Sequence, residues 1–277
     1  MIDRPSDLPD FSSPPVTEVV LGVQFNSLDG FLAPHVGLFW SALPLVFGHV
    51  EEHLPIAPMF ETFGQNPHLM SGLDFGLPPF SGLSRTFFLN EDRTQLLQLQ
   101  RDRLIHNWRK VGDGDSYPRF EAMLSTFLTS LKLFSLFVSE KGLGVIEPNQ
   151  CEVSYINQIP LQHGETPFQG IERLFGRALA APSTHTPGPP EDARLLLRYV
   201  IRNESGAPVG RLIIAADPAR RADGTHIIQL NLTARGRPSD LSTDAVDDFL
   251  CRGRIFIVHT FADITSPEMH RVWGRKK

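Results

Sequence analysis

RTQLLQLQRDRLIHNWRKVGDGDSYPRF, residues 93–120, is the stretch on which the reading of the fold turns. Leu97, Leu99 and Arg101 share one side of an extended segment, and Gln98, Gln100 and Asp102 share the other. That period of two marks a strand with one buried face and one polar face. Arg101, Arg103, His106, Asn107, Trp108, Arg109 and Lys110 then form a basic and aromatic cluster. Beyond it, Asp115 or Ser116 can accept hydrogen bonds from the free amides of a helix start, with Pro118 placed where its missing N–H costs little. Phe120, Met123, Leu124, Phe127, Leu128, Leu131, Phe134, Phe137 and Val138 follow at steps of three and four, and Gly142 supplies a stop. The stretch therefore predicts a strand feeding a long helix whose apolar stripe must be covered.

Working outward, residues 16–25 (VTEVVLGVQF) alternate in the same way, and residues 85–90 and 95–108 read as a hairpin turned by Asn90, Glu91 and Asp92. A helix is expected over 34–47, shortened by Pro44, and an irregular excursion rich in Pro, Gly and Phe over 53–83. After Gly142 comes a strand over 151–159, a short amphipathic helix over 168–179, and a Pro-rich mobile loop over 180–193. Strands over 194–202, 209–216 and 225–235 are separated by Ser205-Gly206 and Asp223-Gly224. A last long helix starts near Ser242 or Thr243, with Val246, Phe249, Leu250, Ile257, Phe261 and Ile264 on one stripe. The spacing of Thr265 and Glu268 opens a short terminal helix. The four prolines of residues 1–15 make that segment an irregular arm, with order beginning near Val16.

Strand, helix, strands and long helix thus occur twice, over 16–145 and again over 146–277. LLQLQ (96–100) lines up with IIQLN (227–231), each expected in the last strand before the long helix of its half. A duplication and a shared strand grammar both account for such a match. The fold class expected is α+β: a curved, mainly antiparallel sheet with helices on one face, the two halves packed as one globular unit and the LLQLQ and IIQLN strands as neighbours.

Composition narrows the function. The chain has 277 residues, 41% of them hydrophobic, enough for a sizeable core. Its 31 acidic against 26 basic residues give a charge of −5, which disfavours a surface dominated by phosphate binding. Cys151 and Cys251 are too far apart for a zinc knuckle and too few for a disulfide framework, so buried, reduced thiols are expected. The N-terminus lacks the basic start and apolar run of a signal peptide. The apolar run 127–138 is interrupted by Thr129, Ser130, Lys132 and Ser135 and falls short of a bilayer span, so a cytoplasmic location is expected.

Motifs for catalysis are missing: there is no HExxH, no GxSxG and no His-Cys cluster, and Gly142-Leu143-Gly144 follows a helix instead of opening one. Asp244, Asp247 and Asp248 share a helix face that could hold a metal, but negative charge in a first helical turn is stabilised by the helix dipole without one. No metal or cofactor is expected. The leading functional expectation is a non-enzymatic binding or interaction module. Gln98, Gln100, Arg101, Arg103, His106, Trp108, Arg109, Tyr155 and Asn157 would meet a protein or small-molecule partner on a polar sheet face. One alternative is a hydrolase or nuclease with Asp102, Arg103 and His106 beside a sheet-lined pocket. Another is a nucleic-acid-binding component of a mobile-element, toxin–antitoxin or defence system, with Trp108 stacking and the arginines on phosphate.

PPVTEVVLGVQF, LLQLQRDRLIHNWRK with SYPRFE, CEVSYIN and FADITSPEMHRVWGR together resemble a sporadically distributed family of bacterial proteins to which no activity is assigned. The resemblance spans nearly the whole chain. It implies a bacterial, intracellular, single-unit protein and no particular chemistry. Where relatives have a histidine followed by an acidic residue in the last long helix, this chain has Arg254-Ile255, which weakens any acid–base role there.

Overall fold

Val16–Phe25 (β1) turns Val19, Leu21, Val23 and Phe25 to a covered side and becomes the middle strand of the sheet. The computed structural model describes residues 4–44, 46–64, 84–177 and 188–277. Ala33–Ala42 (α1) follows β1, then His49–His53 (β2), Arg85–Leu89 (β3), Gln95–Gln100 (β4), Arg103–Arg109 (β5) and the long helix Phe120–Glu140 (α2). The second half runs Pro148–Pro160 (β6), Pro167–Phe175 (α3), Leu195–Arg202 (β7), Pro208–Arg220 (β8), His226–Gly236 (β9), Thr243–Ile264 (α4) and Pro267–Val272 (α5). The nine strands form one open antiparallel sheet in the order β2-β3-β4-β5-β1-β6-β9-β8-β7. The architecture is α+β, as expected.

Each half contributes its first strand to the centre and pairs it with its own last strand, β1 with β5 and β6 with β9. The halves meet where β1 pairs β6. The LLQLQ and IIQLN segments do share the sheet, yet they are not neighbours, because β5, β1 and β6 lie between β4 and β9. Nor does LLQLQ lie in the last strand of its half. Residues 95–108, expected as one strand, break at Arg101-Asp102 into the β4–β5 hairpin, in which Gln100 faces Arg103.

One face of the sheet carries the helices. Phe134 of α2 meets Phe25, Phe31 and Phe39 at ring-centroid separations of 5.9, 5.6 and 5.0 Å, fastening β1 and α1 to the long helix. On α4, Gly253 replaces a bulky contact: a Cβ there would lie 2.7 Å from Val153 and 3.0 Å from Ala234, so its absence lets the helix settle on β6 and β9. By length and composition α2 could cross a membrane, contrary to expectation. Its apolar stripe, from Phe120 through Val138, is instead buried against the sheet and the other helices.

The helix starts differ in detail from the sequence expectation. α2 begins after Arg119, whose φ of 74° is unusual for a residue with a side chain, and no side chain caps it. Asp115 instead receives the amides of Val111 and Gly112 in the preceding turn. Ser266, not Thr265, caps α5 through the Met269 amide, while the Thr265 hydroxyl donates to the Phe261 carbonyl at 2.6 Å. α4 is capped by Ser242, which accepts from the Ala245 amide at 3.1 Å. Ser242→Ala should lower stability by about 1 kcal/mol, read as a shift of the denaturant midpoint at constant slope.

The arm is ordered well before Val16. Leu8 and Phe11 are buried, Phe11 sets its ring edge-on to Phe261 at 5.4 Å, and backbone hydrogen bonds join Ser12 to Gly274 and Lys276 to Asp10. Aromatic burial outweighs the arm's lack of regular structure. Of the loop expected over 180–193, residues 180–187 lie outside the described residues, and 188–193 belong to no helix or strand. Of the excursion over 53–83, residues 65–83 lie outside them as well, and 54–64 run irregularly across the sheet.

Candidate functional site

The sheet face opposite the helices is mostly polar across its middle strands, with an apolar cluster of Phe87, Leu89 and Leu96 toward the β2 edge. Pairing register places Gln100 of β4, Arg103 of β5, Gln24 of β1 and Gln150 of β6 side by side in one row. All four are buried. Asp102, in the hairpin turn, accepts two hydrogen bonds from the Arg103 guanidinium at 3.0 and 2.9 Å and one from Gln100 at 2.9 Å. A second chain of contacts runs Arg85 to Gln98 to Asn107 to Glu18, each donating to the next at 3.1, 2.8 and 2.5 Å. Burial raises the Glu18 carboxyl above its ordinary range despite the Asn107 hydrogen bond.

Residues 54–62 cross this face as a strap, leaving the edge strand β2 and ending over β8. The Gln100 carboxamide pairs with both backbone groups of Ile56: its oxygen accepts the Ile56 N–H at 3.0 Å and its nitrogen donates to the Ile56 carbonyl at 2.9 Å. Gln24 accepts the Met59 N–H at 2.9 Å. Glu61 then inserts between Arg211 and Arg235, at 2.5 and 3.6 Å, and Arg211 also donates to the Thr62 carbonyl at 2.6 Å. Arg235 is held from its other side by Glu152 at 2.7 Å. Under the strap lies a cavity of about 180 Å³ whose walls include Gly22, Gln24, Ile56, Arg103, Gln150 and Arg235. Gln150 is 3% exposed, and neither atom of its carboxamide has a hydrogen-bond partner among the described residues.

The residues expected to form one binding surface fall on two faces. Gln98, Gln100 and Arg103 stand on the polar face, and Arg109 lies at the end of that face, donating to the Arg93 carbonyl at 2.9 Å. Arg101 sits in the hairpin turn and donates to the Phe31 carbonyl at 3.0 Å. His106, Trp108, Tyr155 and Asn157 point the other way, into the helix-covered side. Trp108 is buried with its ring 5.3 Å from Tyr117, so it has no free face for a base. The Tyr155 hydroxyl meets that of Tyr117 at 3.0 Å, and the Asn157 amide donates to the Leu230 carbonyl at 3.0 Å. The acid–base set of Asp102, Arg103 and His106 is not assembled, since the sheet separates His106 from the other two.

The face also holds Asn107, which the basic and aromatic cluster includes but the expected binding set does not, and residues that the sequence reading did not select: Gln24, Gln150, Glu152, Glu61, Arg211 and Arg235. Gln24 and Gln150 carry the signal that marked Gln98 and Gln100, a polar residue alternating with core positions. Glu61 has no local signal at all, because its partner Arg211 is 150 residues away. Arg103, Arg211 and Arg235 are each engaged by a carboxylate of the chain itself, which leaves this face with little appetite for phosphate. Cys151 and Cys251 are free thiols, each pushed up to about 12, chiefly by burial. No cluster of three metal-ligating side chains occurs among the described residues.

His106 makes the helix-covered side sensitive to pH. It is fully buried, with Nε2 3.3 Å from the Gln95 side-chain oxygen, and burial drives its imidazole down to about 4. The unfolded chain takes up this proton near 6.5, whereas the folded protein resists it until about 4. Stability therefore falls as pH drops through that window, by roughly 3 kcal/mol from this group, and the contribution is flat below it. His106→Gln should shallow the decline relative to the native chain, as read from denaturant unfolding at neutral pH and near the lower end of the window.

No family model matches the chain, and no curated protein is significantly similar to it.

Proposed function

We propose that the protein is a non-enzymatic binding module whose polar sheet face grips an extended polypeptide segment, residues 54–62 being the occupant that the chain itself supplies. The observation that carries this reading is the pairing of the Gln100 carboxamide with both the N–H and the C=O of Ile56. A side chain that reads both backbone groups of one residue would hold any extended chain in the same way. Gln24 adds a second such contact at Met59. Gln150, in the same row and unpaired, is the position where a partner could add a hydrogen bond that the strap does not make. Glu61 between two arginines sets the chemistry of the partner: an extended segment with an acidic residue a few positions after its backbone contacts. The resemblance to bacterial proteins without assigned activity is compatible with this role and adds nothing to it.

The test uses a fluorescent peptide with the sequence of residues 54–64, LPIAPMFETFG. Glu61→Ala in the full chain should loosen the strap and admit the peptide, while the native chain, with its face occupied, should bind it far more weakly. Adding Gln100→Leu to that variant should weaken peptide binding by about tenfold, the loss of two backbone hydrogen bonds. A Glu61→Ala protein with an intact sheet by circular dichroism that ignores the peptide would refute the proposal. So would equal binding to the native chain.

A further inference from the structure

The strap meets the sheet at every third residue. Its backbone is bound at Ile56 through N–H and C=O, at Met59 through N–H, and at Thr62 through C=O. The partners are side chains of the polar face, Gln100, Gln24 and Arg211 in turn. A β-strand has a period of two, so backbone groups three residues apart point to its opposite sides, and a strand would not turn all three toward the sheet. Three residues per turn is the period of the polyproline-II helix. Residues 54–63 belong to no α-helix or strand.

The sequence carries the same period. LPIAPMFETFG (54–64) places Pro55, Pro58 and Glu61 three apart, each directly before a residue whose backbone is bound. Proline fixes φ close to the polyproline-II value and has no N–H to leave unmet. Glu61 takes the third place in the series and is fixed between Arg211 and Arg235. Ala57 and Phe60, on the remaining edge, are exposed. A polyproline-II segment makes no internal hydrogen bonds, so its N–H and C=O groups are available to an outside partner. A glutamine carboxamide offers both a donor and an acceptor to meet them.

Resting on the binding-module reading above, we infer that the partner of this face is a proline-containing segment in the polyproline-II form, with the pattern P-x-x-P-x-x-E. The residue after each proline gives its backbone groups to Gln100 and Gln24, and the glutamate enters between Arg211 and Arg235 in place of Glu61. A segment already held near its bound shape by two prolines loses little entropy on docking. Partner and strap compete for one set of contacts, so the partner docks only as the strap lifts.

The Glu61→Ala chain, its strap loosened, is titrated with the fluorescent peptide of residues 54–64 and with two altered forms of it. Pro55→Val with Pro58→Val in the peptide keeps length and charge but favours a strand, and should weaken binding about tenfold. One alanine inserted between Phe60 and Glu61 keeps both prolines but moves the carboxylate out of the three-residue series, and should also weaken binding about tenfold. If either altered form bound as tightly as the unaltered peptide, the proline pattern would be overturned while the binding-module reading stood. If none of the three bound, both would fall. A second measurement needs no loosened host: the same two valines placed in the full chain should lower the exchange protection of the Ile56 and Met59 amides about tenfold, with β1 unchanged. Unchanged protection would likewise overturn the proline pattern.

Discussion

Phe134→Ala is expected to remove about 3–5 kcal/mol of stability, the largest loss for any single truncation considered for this protein. Phe134 is fully buried and touches the rings of Phe25 on β1, Phe31 in the loop after it and Phe39 on α1. Those partners come from three separate segments fixed by their own backbone hydrogen bonds, so they cannot collapse into the space left behind. The transfer free energy of the ring and the residual cavity therefore add. Chemical denaturation should show a lower midpoint with an unchanged slope. A loss under about 1 kcal/mol would mean that α2 does not fasten the first half as described.

The second large effect is local. Glu61→Ala should loosen the strap by about 3 kcal/mol, a roughly hundredfold rise in the population that has lifted off the sheet. Glu61 is 9% exposed and lies between the Arg211 and Arg235 guanidiniums, so its truncation leaves Arg211 without its carboxylate while Glu152 still holds Arg235. Lifting the strap returns these cations to water, which is why the cost should emerge as strap opening and not as global unfolding. Limited proteolysis should cut residues 54–62 far faster in the variant, with the far-ultraviolet circular dichroism preserved. Glu61→Gln keeps the shape and one acceptor, and should show a smaller change in the same direction.

Much of the fold was legible because it rests on local periodicity. The alternation of VTEVVLGVQF and the nine-residue apolar stripe of α2 correspond to what those segments do in the sheet and on it. The site was only half legible, and the reason is a parity change. If residues 95–108 were one strand, Gln98, Gln100, His106 and Trp108 would share a face. The turn at Arg101-Asp102 reverses the alternation, so Gln100 stands beside Arg103 and the even-numbered His106 and Trp108 go to the core. In LQRDRL only Asp102 hints at a turn, with no Gly, Pro or Asn beside it, and a lone Asp fits a continued polar strand equally well. Tyr155 and Asn157 misled for another reason: their polar atoms find buried partners, so polarity there signals satisfied burial and not a surface. The strap escaped notice because its contacts, from Ile56 to Gln100 and from Glu61 to Arg211, join segments that no periodicity connects.

A strap that is a separable occupant of the polar face must open independently of the sheet beneath it. Native-state hydrogen exchange of the Ile56 and Met59 amides measures this directly, because both are bonded to glutamine side chains and not to a strand. They should be slower than the amides of Ala57 and Phe60, yet open at a much lower free energy than Leu21 and Val23 of β1, and Gln24→Ala with Gln100→Ala should abolish their protection while leaving β1 unchanged. Exchange of Ile56 and Met59 only through global unfolding, at the same free energy as β1, would contradict the account.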